Sequence, residues 1–590
     1  MPKKYSDQFA MYLKELGYTH CFFVAGGNIM HILESVSKLF VCTSVVHEVS
    51  AGIATEFFNE ASDGTSKAFA LVTAGPGVTN IVTAMAGSFL ESRELLVVGG
   101  QVKSSDLKTD GLRQKGIQEI DGIGIVKSVC VKTLQISIPL PRETISETIL
   151  AGSTGRKGPV FIEFCLDAQG APAIKDETVL KTTISLPSDS VVVDSVLNIL
   201  DSFERPVLLI GGGVSRSLAN KLGHRLSNLK IPVMTTWNGA DRISYDAPSY
   251  FGRPNTWGQR SANIIMQQSD FLIAVGTRLG LQQTGFNWQE FIPVGKVAQV
   301  EIDMQELSKE NPKVDYAIHH DANDFLEKLV FALEKQDNSH WSVWLDFARN
   351  VRNLIPLSDP KNTHHPEFID PYEFVQALSK HILATDSFVP SSSGGSETVA
   401  MQAFLQPQGS TVITTKGLAS MGYGLAGAIG CALQSGSRVI HLEGDGGFAQ
   451  NLQELGTVAN LNLPIKIFIF CNDGYASIRM TQKSYFNGNY IGCDSNTGLG
   501  LPDWHKLFGA YGIPVISLDP NNPFNEDVLS AMNSQGPTAF LVPIDPEQTY
   551  FPKITSSVSA DGNLKSNPLH LMTPELDPEI KVQVFKYIEV

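Results

Sequence analysis

The stretch VIHLEGDGGFAQNLQELGTVANLNLPIKIFIFCNDGYASIR, residues 439–479, decides the fold. Its two short apolar runs, VIHLE and IKIFIFC, have the length and the branched and aromatic content of buried strands. Each ends in an acidic turn, Gly-Asp-Gly at 444–446 and Asn-Asp-Gly at 472–474. Between them, AQNLQELGTVANLNLP reads as a helix of about four turns, stopped by Pro464. A strand, a helix and a returning strand form a parallel unit, and ligands of open parallel sheets bind outside the carboxyl ends of the strands. Asp445 and Asn472, 27 positions apart, therefore belong at one edge of a sheet. With the backbone carbonyl of Gly474 they offer three oxygens, which suits Mg²⁺, a hard cation that keeps water or phosphate in its other positions. Gly444, Gly446 and Gly447 are expected to let an anion come close to helix N-terminal amides.

The same alternation runs along the whole chain. HCFFVAGG, AFALVTAGPG, LLVVGGQV and GPVFIEF punctuate a first segment, 1–170. A polar connector, 171–190, leads to a second segment, 190–350, with RPVLLIGGGVS, IPVMTTWNGA, DFLIAVGTRLG and VAQVEID. The connector PLSDPKNTHHPEFIDP, 356–371, opens a third segment, 370–550, and a Pro-rich tail follows at 551–590. At 590 residues the chain exceeds what one core usually holds, so the pattern predicts an α/β protein of three doubly wound parallel-sheet domains in tandem.

Composition narrows the partners. Sixty acidic against 45 basic residues give a net charge of -15 without a Lys/Arg stripe, which argues against nucleic acid and anionic membranes and favours a small molecule. The longest apolar runs fall far short of the roughly 20 residues that span a bilayer. MPKKYSDQFAMYLKELGY lacks the apolar core of a signal peptide and reads as an amphipathic helix, so a cytoplasmic location is expected. Seven cysteines without a CxxC pair are expected to be reduced.

The Asp445 to Asn472 constellation resembles that of the thiamine diphosphate (ThDP) enzymes, whose motif is GDG, roughly 25 residues, then Asn-Asn or a variant. Here Cys471 stands in place of the first Asn. The resemblance implies that the first domain binds the pyrimidine and the third the diphosphate and Mg²⁺, with Asp445, Asn472 and Gly474 as metal ligands. It also implies a catalytic glutamate in the first domain, and Glu48 in HEVSAGIATEFF matches it. Such a carboxyl group beside the aminopyrimidine promotes removal of the thiazolium C2 proton. In TKGLASMGYGLAGAIG, Met421 matches the side chain over which the cofactor folds, and Ala419 the carbonyl that holds its amino group. Gln118 corresponds to an active-site glutamine, with Ile117 replacing a common aromatic residue. The family builds its site between two subunits, which implies at least a homodimer, with a tetramer as the larger form.

The middle segment resembles the flavin-binding domain of acetolactate synthases through IGGGVSRS, TTWNGADRI, YFGRPNTWGQRSAN and GTRLGLQQTG. Gly211, Gly212, Gly213, Arg278, Glu301 and Asp321 would then contact FAD. Decarboxylation of pyruvate and transfer of its two-carbon hydroxyethyl unit to a second carbonyl compound is the implied activity. Acetolactate synthases place a tryptophan after TQ, whereas here Lys483 follows, with Arg479 an added cation nearby. SIRMTQKSYFNG is similar to relatives of surface-polysaccharide pathways, such as the CDP-yersiniose type, so Arg479 and Lys483 are candidate contacts for a carboxylate or a phosphate. The acceptor is a 2-keto acid or a nucleotide-linked keto-sugar. The alternatives are a flavin-dependent pyruvate oxidase, a simple 2-keto acid decarboxylase, and an inert regulatory or binding homologue.

Overall fold

The computed structural model describes residues 3–109, 111–175, 190–390, 393–558 and 564–589, so most of the connector at 171–190 lies outside the described residues. The first sheet takes Tyr18–Phe23 (β1), Val41–Ser44 (β2), Lys67–Val72 (β3), Leu95–Gln101 (β4), Lys132–Ile136 (β5) and Pro159–Cys165 (β6), in the order β2-β1-β3-β4-β6-β5. The middle sheet takes Pro206–Ile210 (β7), Val233–Thr235 (β8), Phe271–Val275 (β9), Lys296–Glu301 (β10) and Tyr316–His319 (β11), ordered β11-β10-β9-β7-β8. Ser387–Pro390 (β12), Thr411–Val412 (β13), Val439–Gly444 (β14), Ile465–Cys471 (β15), Val515–Ser517 (β16) and Thr538–Pro543 (β17) make the third, ordered β13-β12-β14-β15-β17-β16. Every pairing in these three sheets is parallel. The three parallel α/β units expected from the sequence are thus present, and the first and third share one strand order. Edge strands β5, β11, β13 and β16 go beyond the apolar runs of the sequence, because an edge strand carries only part of a buried face.

The segment after β14 departs from the expected continuous helix. Asp445–Phe448 is α-helical, Ala449–Glu454 is 3₁₀ with Asn451 at φ -142°, ψ 36°, and Leu455–Asn460 resumes the α-helix. The cause is tertiary. The Asn451 side chain leaves the helix path to donate to Gly422 O at 3.1 Å and to Ser50 Oγ at 3.1 Å.

Ser50 belongs to the helix Glu48–Ser62, which crosses the third-unit helix Tyr423–Ser435 so closely that glycine is required at the crossing. A Cβ on Gly427 would sit 2.6 Å from the Phe57 ring, and one on Gly430 would sit 2.2 Å from Ala54 O. One apolar core, including Ile53, Phe57, Val97, Tyr423, Leu425 and Ile467, therefore runs through both units. The tail packs on the middle unit: Leu569, Met572 and Val584 are buried with Ile264, Ile265 and Leu272. Among the described residues no helix is long and apolar enough to cross a membrane.

Candidate functional site

Strands β14 and β15 pair in register, Gly444 opposite Phe470, which sets the turns after them side by side. Asp445 is buried, and its carboxylate accepts from the backbone N–H groups of Gly446 (2.7 Å), Asn472 (3.0 Å) and Gly474 (3.1 Å). Burial pushes its carboxyl up to about 6, against those N–H groups, which pull it down. A neighbouring cation would keep it ionised.

The Asn472 amide supplies the sharper observation. Its oxygen lies 3.1 Å from Asp445 Oδ1 and 3.2 Å from Gly474 O, while its nitrogen lies 3.3 Å from Tyr550 Oη. Three oxygens crowd together with no proton between them. Turning the amide would let its nitrogen donate to both oxygens and its oxygen accept from Tyr550, which satisfies the pocket without an ion. With the oxygen inward, the spacing approaches the ~3.0 Å edge of an octahedron whose ligands stand about 2.1 Å from Mg²⁺. The donor set fits the ion. Among the described residues no three His, Cys, Asp or Glu side chains cluster as metal ligands, and this set contains only one carboxylate.

Two further features shape the same loop. Gly474 has φ 109°, and a Cβ there would lie 2.4 Å from Cys493 O, so only glycine fits. Arg479 is buried, and its guanidinium donates to Asn472 O (3.1 Å), Asp473 O (2.6 Å) and Pro546 O (2.6 Å), with Asp494 beside Nε at 3.5 Å. The structure therefore commits Arg479 to bracing the loop, where the sequence suggested a cation facing substrate. Lys483 is exposed and paired with Glu547. Burial pushes the Cys471 thiol up to about 12, so it stays neutral beside the ligand positions.

The three glycines around Asp445 differ in what stands where a side chain would be. The side on which Gly447 lacks a Cβ faces the carboxylate of Glu443 on the preceding strand, with Oε1 only 2.9 Å from where that Cβ would stand. Gly447 thus makes room for the buried Glu443 side chain in the strand-to-helix turn. A Cβ on Gly446 would strike the Tyr475 ring at 2.6 Å, so packing explains that glycine as well. Gly444 is more open, with Ser396 Oγ at 3.6 Å from such a Cβ. Ala419 has φ 53°, a left-handed conformation that non-glycine residues adopt at some strain, and Met421 beside it is 38% exposed.

In the first unit, Glu48 opens the helix Glu48–Ser62 behind its N-cap His47 and is buried. Its carboxylate accepts from Asn80 Nδ2 at 3.0 Å. Asn80 ends the stretch TAGPGVTN, 73–80, where the turn after β3 enters a helix. Among the described residues, no hydrogen bond or ion pair joins Glu48 to Asp445, Asn472 or Met421 within the chain. Gln118 is exposed, also left-handed at φ 63°, and its carbonyl packs on the turn at Gly75. Buried Glu119 fixes this loop by accepting from the N–H groups of Lys108 (3.0 Å) and Lys115 (2.8 Å).

In the middle unit, the turns after β7 and β9 close on each other: a Cβ on Gly211 would lie 2.2 Å from Gly276 O and one on Gly213 2.9 Å from Gly276 Cα. Gly212 faces Asn238. The buried Thr235 Oγ1, Trp237 Nε1, Asn238 Oδ1 and Gln299 Oε1 have no hydrogen-bond partner among the described residues. The Arg278 guanidinium, at the end of β9, makes no hydrogen bond or ion pair among the described residues. Orphaned polar atoms and a guanidinium unpaired among the described residues, near the strand ends of a parallel sheet, suit a dinucleotide diphosphate. Glu301 is otherwise occupied, pairing with Arg156 at 2.7 Å and accepting from Ile302 N, while Asp321 caps the helix Ala322–Lys335.

Comparison with known proteins agrees with this architecture unit by unit. The thiamine pyrophosphate enzyme N-terminal TPP binding domain matches residues 3–125, the central domain 193–329, and the C-terminal TPP binding domain 392–542. The class is that of thiamine pyrophosphate enzymes. The acetolactate synthase large subunit of Cyanidium caldarium is 28% identical, over 90% of this chain and 92% of its own length. The probable acetolactate synthase large subunit of Methanococcus aeolicus is 30% identical over 85% of each chain. The isozyme 2 large subunit of Escherichia coli (strain K12) is 28% identical over 93% of this chain and 96% of its own. The chain belongs to the acetolactate synthase-like family of ThDP-dependent enzymes.

Proposed function

We propose that this protein is a ThDP- and Mg²⁺-dependent carboligase that decarboxylates pyruvate and transfers the two-carbon unit to a second carbonyl compound. The observation that carries the reading is the three-oxygen cradle of Asp445, Asn472 and Gly474. These residues would hold Mg²⁺ and through it the diphosphate, Ala419 and Met421 would orient the rings, and ThDP when bound supplies the electron sink for decarboxylation. Glu48 would hold and release a proton at the aminopyrimidine, with Asn80 fixing its carboxylate. Since among the described residues Glu48 has no bond to the cradle of its own chain, we take it from a second copy. The exposed apolar side chains of Val46 (55%), Ile117 (87%) and Met421 support a surface that such a copy covers.

The acceptor is proposed as a 2-keto acid or a nucleotide-linked keto-sugar. With Arg479 buried, its anion-binding group has to come from elsewhere, and the exposed Gln118 remains a candidate polar contact. Labelled pyruvate offered with 2-keto acids, aldehydes and nucleotide keto-sugars, followed by mass identification, tests the carboligase. Release of acetaldehyde with every acceptor present would replace it by a decarboxylase.

Flavin in the middle unit is supported by the orphaned polar atoms and the free Arg278. Arg278→Ala is expected to weaken FAD binding about tenfold or more, measured by fluorescence titration of the stripped protein. Unchanged FAD affinity would remove Arg278 from that site. Anaerobic pyruvate separates an oxidase, which bleaches a bound flavin stoichiometrically, from a carboligase, which leaves it yellow.

A further inference from the structure

We infer that Glu454, assisted by Asn451, is a positioning residue that sets the catalytic carboxyl group of Glu48 from the opposite domain of the same chain; the inference rests on the proposed role of Glu48.

Glu454 is fully buried in the 3₁₀ segment that follows Asp445. Its Oε1 accepts from Val46 N at 3.1 Å and from His47 N at 3.0 Å, and Thr457 Oγ1 donates to its Oε2 at 2.7 Å. Val46 and His47 are the two residues before Glu48, and their N–H groups precede the first helical turn, where the backbone has no partner of its own. On the other side of Glu48, Ser50 Oγ and the Asn451 amide are joined at 3.1–3.2 Å, and Asn451 is tied in turn to Gly422 O. Third-unit contacts thus hold the chain two residues before and two residues after the catalytic position. The break in the helix at Asn451 is the local consequence.

This is more than domain packing in general. The crossing of the two helices is made by glycines and apolar surface, which fixes distance. Glu454 fixes the direction in which the chain enters the helix, and so the direction of the Glu48 side chain. General acid–base transfer is sensitive to that direction and contributes about 10²- to 10⁴-fold.

The test uses full-length protein reconstituted with saturating ThDP and Mg²⁺ and measures the exchange rate of the bound thiazolium C2 proton by quenched-flow NMR, with ThDP affinity and melting midpoint as controls. Glu454→Ala is expected to slow exchange ~10- to 100-fold at little change in ThDP affinity. Glu454→Gln should restore the rate to within about threefold, because one amide oxygen can serve both N–H groups that now share Oε1. Parental exchange in Glu454→Ala, or a Gln variant as slow as the Ala variant, overturns the inference. If Glu454→Ala does not fold, Ser50→Ala decides: slower exchange supports the clasp and parental exchange refutes it. Glu48→Gln is run alongside. If it exchanges at the parental rate, the proposed role of Glu48 falls and this inference with it. If Glu48→Gln is slow while Glu454→Ala is not, only the inference about Glu454 falls.

Discussion

At Asn472 the same amide can turn its nitrogen or its oxygen toward Asp445 and the Gly474 carbonyl, so the loop around it has to hold one place for either arrangement. Arg479 holds that loop by donating to the carbonyls of Asn472 and Asp473. Its replacement by alanine is therefore expected to weaken Mg²⁺ binding about 10- to 100-fold in ThDP-saturated protein, as groups behind a metal's ligands commonly do. Arg479→Lys should fall between, because an ammonium cannot span three carbonyls in a plane. Calorimetric titration reads the effect, and parental Mg²⁺ affinity in the alanine variant would discard the bracing role. Asp445 and Asn472 were legible in the sequence because one supersecondary unit sets their spacing. Arg479 was legible only as a charge, since what it touches depends on where Pro546 and Asp494 return to the loop. The packing of Gly447 against the Glu443 side chain was not legible, because only the fold brings the two together. Asn80, Tyr550 and Glu454 left no local signal, because each acts on a residue between about 30 and 400 positions away, a distance that no spacing rule spans.

The elements show the same division. Strands with two buried faces, such as β14 and β15, announce themselves as apolar runs, while the helix between them broke where a distant serine drew Asn451 out of line. The tail read as Pro-rich and featureless, yet it is fastened to the middle unit by side-chain to backbone bonds that composition does not reveal. Gln268 donates to Val584 O at 2.8 Å and accepts from Lys586 N and Tyr587 N at 2.9 Å each, and Arg205 stacks on Tyr587 at 4.5 Å. Buried His570 lies in this tail with its ring nitrogen 3.3 Å from Gln267 Nε2. Burial lowers its pKa from 6.5 to about 4. The docked form thus binds fewer protons than the open form between those values, so docking is favoured above pH 6.5 and weakens as pH falls toward 4, by up to about 3 kcal/mol. Hydrogen exchange at Lys586 and Tyr587, corrected for intrinsic rate, should accelerate from pH 6.5 to pH 5 in the parent and stay level in His570→Gln. Equal behaviour of the two proteins would exclude His570 as the cause.

Across the whole molecule, the three units meet on a buried charge network. Arg216 of the middle unit pairs with Asp241 at 2.6 Å and reaches Glu60 of the first unit at 2.8 Å and Val412 O of the third at 3.1 Å. Arg93 of the first unit pairs with Glu56 at 3.0 Å and donates to Thr414 O of the third at 2.7 Å, while Tyr423 Oη donates to Glu56. Removing one partner of a buried pair leaves the other charge uncompensated, so Arg216→Met should cost about 3–5 kcal/mol. A denaturant midpoint matching the parent would mean that the network contributes little. The carboxylates differ in sign. Asp241 is raised by burial but brought below the ordinary range by Arg216 and Arg242, so its contribution is lost in acid. Glu56 goes the other way: burial outweighs Arg93 and Tyr423 and raises it from 4.5 to about 7. The folded protein therefore holds a proton on Glu56 that the unfolded chain has released between pH 4.5 and 7, and its contribution, full below 4.5, is lost as pH rises through that window. Glu56→Gln keeps an acceptor for Arg93 and a group for Tyr423 without ever ionising. Relative to the parent it should gain up to about 3 kcal/mol between pH 4.5 and pH 8, read from denaturant midpoints at both ends. A difference between the two proteins that does not move with pH would show that Glu56 is ionised throughout, and that the three units are held together by a fully charged network.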